Sequence, residues 1–338
     1  MTKTFKTCAI FCITTVWLVL MRVIVGEINM SDNVAEWVFS FCVQIVGMGL
    51  IPLLLYKFWV KDSIKSGFAI NFKINPLIWL LALGVGITLH FLIRSVSVLW
   101  QSIAILMGYT PSNSAGTIYS SPEVLAMGII TSAVLPGICE ELTYRGLGRQ
   151  MFATVKDEKV VIIMMGLLFG LGHQFILQTG YAFVAGVVFA YIAIKTRSII
   201  PGMIIHFINN CWATVSEYSQ QKNNAFYVAE EAVNGVLFRS YGSVILTLAI
   251  SAVATIGLLY LIKKAAGGDK KPTETVDGTT FFYPNTMQYI DDLFGKPVKT
   301  EIKVVPETAA WYEYAFLYAS MAIMLITTIF TFVWGVIR

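Results

Sequence analysis

Residues 123–146 read EVLAMGIITSAVLPGICEELTYRG. Everything from Val124 to Cys139 is apolar or small, and the run then meets two carboxylates and a guanidinium, Glu140, Glu141 and Arg145. As a helix this stretch rises about 36 Å at roughly 1.5 Å per residue, enough to cross a hydrocarbon core of about 30 Å. Ionisable groups inside such a run are costly and mark functional candidates. The stretch therefore raises two questions: how many spans surround it, and what its charges face.

The rest of the chain answers the first. Of 338 residues, 57% are hydrophobic and 13% charged, with mean hydropathy +0.71; a soluble domain carries about 25% charged residues. Eight more runs of span length lie at roughly 8–25, 36–57, 76–94, 160–178, 181–195, 199–216, 242–262 and 312–336. The expected fold is an all-α, polytopic transmembrane bundle of about nine spans. Residues 1–75 hold two spans and a connector, 76–216 hold a core, and 217–338 add two spans around an insert at 263–310. The first run follows Lys3 and Lys6 but is too long for a typical signal core and precedes no A-x-A site, so it reads as a retained span.

Basic residues set the orientation. Lys3 and Lys6, Lys57 to Lys73, Arg149 to Lys159, Lys195 and Arg197, and Lys263 to Lys271 all fall on one side if the spans alternate. That side is expected to be cytoplasmic, with the N-terminus inside and the C-terminus outside. The protein is expected to be integral and multi-pass, with the lipid bilayer as a partner and a bacterial cell membrane as its location. A net charge of +4 gives no case for nucleic acid. The five cysteines are odd in number, form no CxxC and sit in or beside apolar runs, which disfavours disulfides and thiol-ligated zinc. Gly166 and Gly170 read as helix packing. Residues 95–110 either continue span three or lie along the interface, and 217–241 read as an outer loop. The insert opens with the flexible composition AAGGDKKPTETVDG, and its later part reads as a small hairpin or short helix.

The second question concerns chemistry. Spans four, five and seven carry Glu140, Glu141, Arg145, His173 and His206, including two of the chain's three histidines. Residues four apart share a helix face. Glu141 and Arg145 can therefore pair, while Glu140 is rotated off that face and lacks an in-helix counter-ion, which suits it to proton transfer. Phe169 and His173 share a face of span five, and His206 and Asn210 share one of span seven. Peptide hydrolysis needs an activated water, donors for an oxyanion and a proton for the leaving amine. Glu140 and His173 suit the first and last tasks, and His206 with Asn210 suits the second. A zinc ion held by Glu140, His173 and His206 is the alternative, although the HExxH spacing is missing.

These residues resemble a family pattern. Glu140-Glu141-xxx-Arg145, Phe169-xxx-His173 and His206-xxx-Asn210 are similar to the EExxxR, FxxxH and HxxxN motifs of the CAAX prenyl-protease and bacteriocin-processing (CPBP, or Abi) membrane peptidases. The resemblance covers about 76–216. It implies a helical core that hydrolyses peptide bonds near the cytoplasmic leaflet. Glu140 and His173 would activate water, and His206 and Asn210 would stabilise the oxyanion, with Glu141, Arg145 and Phe169 in support. It also implies a membrane-associated or lipidated peptide or protein as substrate. Glutamate chemistry without a cofactor is favoured, with a zinc metallopeptidase as the alternative. The competing functions are a transporter and a non-catalytic scaffold or immunity protein. His90 and Arg94 share a face of span three. Arg94 either snorkels or, if the helix runs on, needs an anionic partner, a span carboxylate or a peptide's terminal carboxylate.

Overall fold

The structure is a computed structural model that describes residues 1–27, 33–111, 117–267, 273–276, 279–282 and 309–337. Its long helices are α1 (Lys3–Glu27), α2 (Asn33–Val60), α3 (Pro76–Leu106), α4 (Pro122–Met151), α5 (Glu158–Gly172), α6 (Ile176–Thr196), α7 (Ile200–Lys222), α8 (Ala225–Leu237), α9 (Tyr241–Ala265) and α10 (Ala315–Ile337). Local chemistry explains their starts. Asn75 accepts from the Leu77 N–H at 3.0 Å, with Pro76 in the first turn of α3. Asp157 caps α5 through the Lys159 N–H at 2.8 Å, and Ser240 and Ser243 form a capping box on α9.

Seven of these helices are long and apolar enough to cross a membrane. The two expected spans outside that set are α5 and α7. At 15 residues, α5 rises only about 22 Å. Polar residues run along α7 from His206 to Lys222. Both pack inside the bundle, whereas α9 and α10 turn Ile250, Val253, Ile326 and Phe330 outward, as lipid-facing helices do.

Three expectations change. Span five does not run to 178: the helix ends at Gly172, Gln174 takes a left-handed conformation (φ 50°), and α6 starts at Ile176 rather than 181. The expected loop at 217–241 is mostly helical, because Asn223 ends α7 at φ 47° and Asn224 caps α8. Of the two readings of 95–110, the first holds, with α3 running unbroken to Leu106. In the insert, TETV (Thr273–Val276) is a strand rather than flexible chain; it pairs antiparallel with Thr279–Phe282. The rest of the insert to 308 lies outside the described residues.

The hairpin of α5 and α6 is packed through glycine. A side chain at Gly166 would strike Val187 and the Phe183 carbonyl, and one at Gly170 the Thr179 carbonyl. Its tip is braced from both sides. Trp100 of α3 donates to the Ile176 carbonyl at 2.6 Å, and the Ile176 N–H donates to Thr331 of α10 at 3.2 Å. The tip carries His173. Both α2 and α4 contain π-helical turns, at Cys42–Leu50 and Leu142–Leu147 among others. Such turns re-aim the side chains around them and recur at functional sites.

Candidate active site

The paired charges of α4 sit at the centre of the bundle. Arg145 Nη1 meets Glu141 Oε1 at 2.8 Å, both side chains fully buried. Nη2 of Arg145 donates to the Gly186 carbonyl at 3.1 Å. Its guanidinium lies 4.2 Å from the Phe169 ring centroid and 5.0 Å from that of Phe189. An ion pair away from water needs such extra partners to offset desolvation. Phe169 is the hub of this packing, with ring contacts to Tyr144, His173, Phe189 and His206.

Glu140 faces a different way, as its offset from Arg145 predicts. Its Oε1 accepts from Gln44 Nε2 of α2 at 2.8 Å, and its Oε2 lies 3.9 Å from His206 Nε2. The other ring nitrogen of His206 lies 3.3 Å from Glu141 Oε1, so this buried imidazole bridges the two carboxylates. His173, at the end of α5, has Nδ1 at 2.8 Å from the Phe169 carbonyl. A neutral imidazole bound so donates from Nδ1 and leaves Nε2 as an acceptor.

Glu140 and His173 line one cavity of about 420 Å³ together with Leu18, Arg22, Phe39, Gln44, Met48 and Tyr144, among others. A water occupies roughly 30 Å³ in the liquid, so the space admits a peptide segment and its attacking water. Arg22, Phe39 and His173 lie toward the ends of α1, α2 and α5 remote from Lys3, Lys57 and Lys159. The cavity therefore sits toward the face opposite the basic clusters.

The remaining candidates divide. His206 stands behind Glu140 and does not line the cavity. Asn210 donates to the Ser132 carbonyl of α4 at 3.0 Å, and its neighbour Asn209 is buried against the Gly86 and Ile205 carbonyls. Glu140, His173 and His206 do not gather as a metal site: among the described residues no three His, Cys, Asp or Glu side chains are placed to hold an ion. Arg94 finds a protein partner, Glu230 of α8, at 3.4 Å, and its guanidinium lies 5.0 Å from the Phe238 ring centroid. His90 stacks on Trp212 at 4.4 Å, and Trp212 donates to the same Glu230. This cluster holds α8 against α3 and α7.

Two cavity residues escaped the sequence reading. Gln44 and Arg22 are single polar groups in apolar runs, with no partner four residues away to draw attention to them. Depth in a predicted span was the signal available for Gln44, whereas Arg22 lies near the end of its run.

Residues 122–212 match the family model described as type II CAAX prenyl endopeptidase Rce1-like. This segment is a CPBP-family domain. It runs from the start of α4 into α7 and so contains all three motifs, while α1 to α3 and everything from Ala213 onward lie outside the match. Neither a curated protein nor a solved structure matches the chain. The seven apolar helices fit an integral, multi-pass membrane protein, and its matched segment is CAAX-protease-like.

Proposed function

We propose that the cavity is the active site of an intramembrane endopeptidase that uses Glu140 as its base. The observation that carries this reading is the sharing of one cavity by Glu140 and His173, from different helices, inside the CPBP domain. A water between them gives its proton to Glu140 while the Nε2 acceptor of His173 fixes its orientation. The water oxygen bonds to the scissile carbonyl carbon. As the tetrahedral intermediate collapses, the carbon–nitrogen bond breaks and Glu140 returns the proton to the leaving nitrogen. The products are a new carboxylate and a new amine.

Gln44 donates to Glu140 and so aims its free oxygen. His206, whose Nε2 lies 3.9 Å from Glu140 from behind the cavity wall, is the proposed donor for the oxyanion. Asn210 takes a positioning role, tying α7 to α4 through Ser132 two turns before Glu140. Glu141, Arg145 and Phe169 hold the frame. The side chains do not fit a three-ligand zinc site, and no step is routed through a metal.

Apolar walls at Leu18, Phe39, Val43 and Met48 suit a membrane-associated or lipidated peptide, and the family description adds prenylated ends to that class. With the basic ends cytoplasmic, the cavity faces the extracytoplasmic leaflet, in place of the cytoplasmic leaflet that the resemblance implies. The test is cleavage of membrane peptides by the purified protein beside its Glu140→Gln variant. Equal cleavage by the two removes Glu140 from the mechanism; cleavage by neither, across lipidated and unlipidated peptides, removes the peptidase.

A further inference from the structure

Arg149 is a buried cation that the proposed mechanism leaves unused. It lies in the last turn of α4, one turn beyond Arg145. An arginine at the end of a span ordinarily carries its head out to the membrane surface. This one is 6% exposed, and its Nε and Nη1 are enclosed without a hydrogen-bond partner. Among the described residues it forms no ion pair and meets no aromatic face. Arg145 shows what compensation looks like one turn earlier: a carboxylate, a carbonyl and two aromatic rings. The C-terminus of α4 favours a cation, but that is weak beside the cost of enclosing an unpaired charge.

The charge that bears on Arg149 from its surroundings is a second cation, Arg197. Arg197 sits in the turn between α6 and α7, half-buried and in the left-handed conformation (φ 55°). The fold thus holds two guanidinium groups together at the end of the bundle that carries Lys57, Lys156 and Lys195. Carboxylates at the same end are already engaged: Asp62 by Lys3, Asp157 by the first turn of α5, Glu158 by Lys195 and Glu313 by Thr2. Two like charges brought together away from water call for an anion that faces both.

We propose that Arg149 and Arg197 bind a phosphate group, carried by a phospholipid of the adjacent leaflet or free in solution. The inference stands independently of the peptidase reading. A guanidinium is a planar fork of N–H donors that meets a phosphate through parallel bonds, and the several oxygens of one phosphate can serve two forks at once. A single carboxylate has two oxygens and one charge, and leaves such a pair half compensated. Depth fits as well. Arg149 lies about 6 Å along α4 beyond Arg145 and two residues before the helix ends at Met151, which puts it near the headgroups of the basic end. Nη2, the one nitrogen of the fork that is not enclosed, marks the side from which the anion approaches.

The test is binding to the full chain, delipidated in neutral detergent. The probes are dioleoyl phosphatidylglycerol, inorganic phosphate and uncharged dioleoylglycerol. Binding is read as the rise in melting temperature and as lipid retained in native mass spectrometry. A phosphate-bearing probe stabilises the wild-type protein and dioleoylglycerol does not. Arg149→Gln weakens that binding about tenfold or more, Arg149→Lys keeps part of it, and Arg197→Gln weakens it less. Lys156→Gln, an exposed control at the same end, leaves it unchanged. Stabilisation by phosphatidylglycerol alone assigns the phosphate to a lipid, and equal stabilisation by inorganic phosphate assigns it to a free ion. No response of the wild type to either phosphate probe overturns the proposal, as does a response to dioleoylglycerol of the same size. An equal loss in Lys156→Gln also overturns it, reducing the effect to general attraction by the basic face. Where Arg149→Gln fails to fold, Arg197→Gln decides: weakened binding supports the site, and full binding overturns it.

Discussion

Replacing Arg145 by leucine leaves Glu141 with a buried charge and no counter-ion. The structure sets the size of the effect. Both side chains are fully buried and their contact is 2.8 Å, and the arginine also satisfies the Gly186 carbonyl. Removing one partner of a buried pair costs about 3–5 kcal/mol, most of it the penalty of the abandoned charge. Lost packing of the guanidinium on Phe169 and Phe189 adds to this. At roughly 2 °C per kcal/mol for a chain of this size, the melting temperature falls by about 6–10 °C. The assay is thermal unfolding in detergent micelles, followed by tryptophan fluorescence. A double variant, Arg145→Leu with Glu141→Gln, removes both charges and regains at least half of the loss. The coupling energy from the cycle is about 2 kcal/mol or more. A single variant within 1 kcal/mol of the wild type, or a double variant less stable than either single, would refute the view that this pair frames the site.

Other consequences follow from the cavity. Gln44→Leu removes the 2.8 Å bond to Glu140; a hydrogen bond to a charged group contributes about 1.5–3 kcal/mol, so kcat falls tenfold or more with KM little changed, as steady-state kinetics will show. Chelation followed by metal analysis leaves the hydrolysis rate intact, since the proposed steps need no ion; activity that tracks zinc content would reverse this. Phe39→Cys, placed on the cavity wall, is labelled in intact cells by a membrane-impermeant maleimide added outside. Labelling only after the cytoplasmic face is exposed would turn the orientation round.

Much of the architecture was legible because a bilayer imposes a simple rule: backbone polar groups must be satisfied within the segment, so apolar runs become helices. The runs read as spans are helical, save that 160–178 breaks between Gly172 and Ile176. What escaped were breaks and joints. The helix ends at Gly172 through a left-handed Gln174, a residue type with no special preference for that conformation, and bonds from Trp100 and Thr331 brace the turn from distant elements. The helix at 225–237 was hidden by its charges, although the Asn223-Asn224 pair signalled a stop and a start. For the site, spacing within one helix was informative. Glu141 meets Arg145 as i, i+4 geometry requires, and Glu140 faces elsewhere. Relations between helices were not legible. Nothing local says that Gln44 reaches Glu140 across two spans, that Asn210 finds Ser132, or that Arg22 finds the His173 carbonyl while Arg94 finds Glu230.

The proposed chemistry treats Glu140 and His173 as one unit acting on one water, and units of this kind are non-additive when dismantled. The decisive measurement is single-turnover cleavage by Glu140→Gln, His173→Ala and the double variant, each shown to be folded. Each single change should slow the step by about 10²–10⁴, and the double variant should be no more than about tenfold slower than the worse single. If the two losses multiply in full, or if Glu140→Gln cuts at the wild-type rate, a shared water between these side chains is not how the bond is broken.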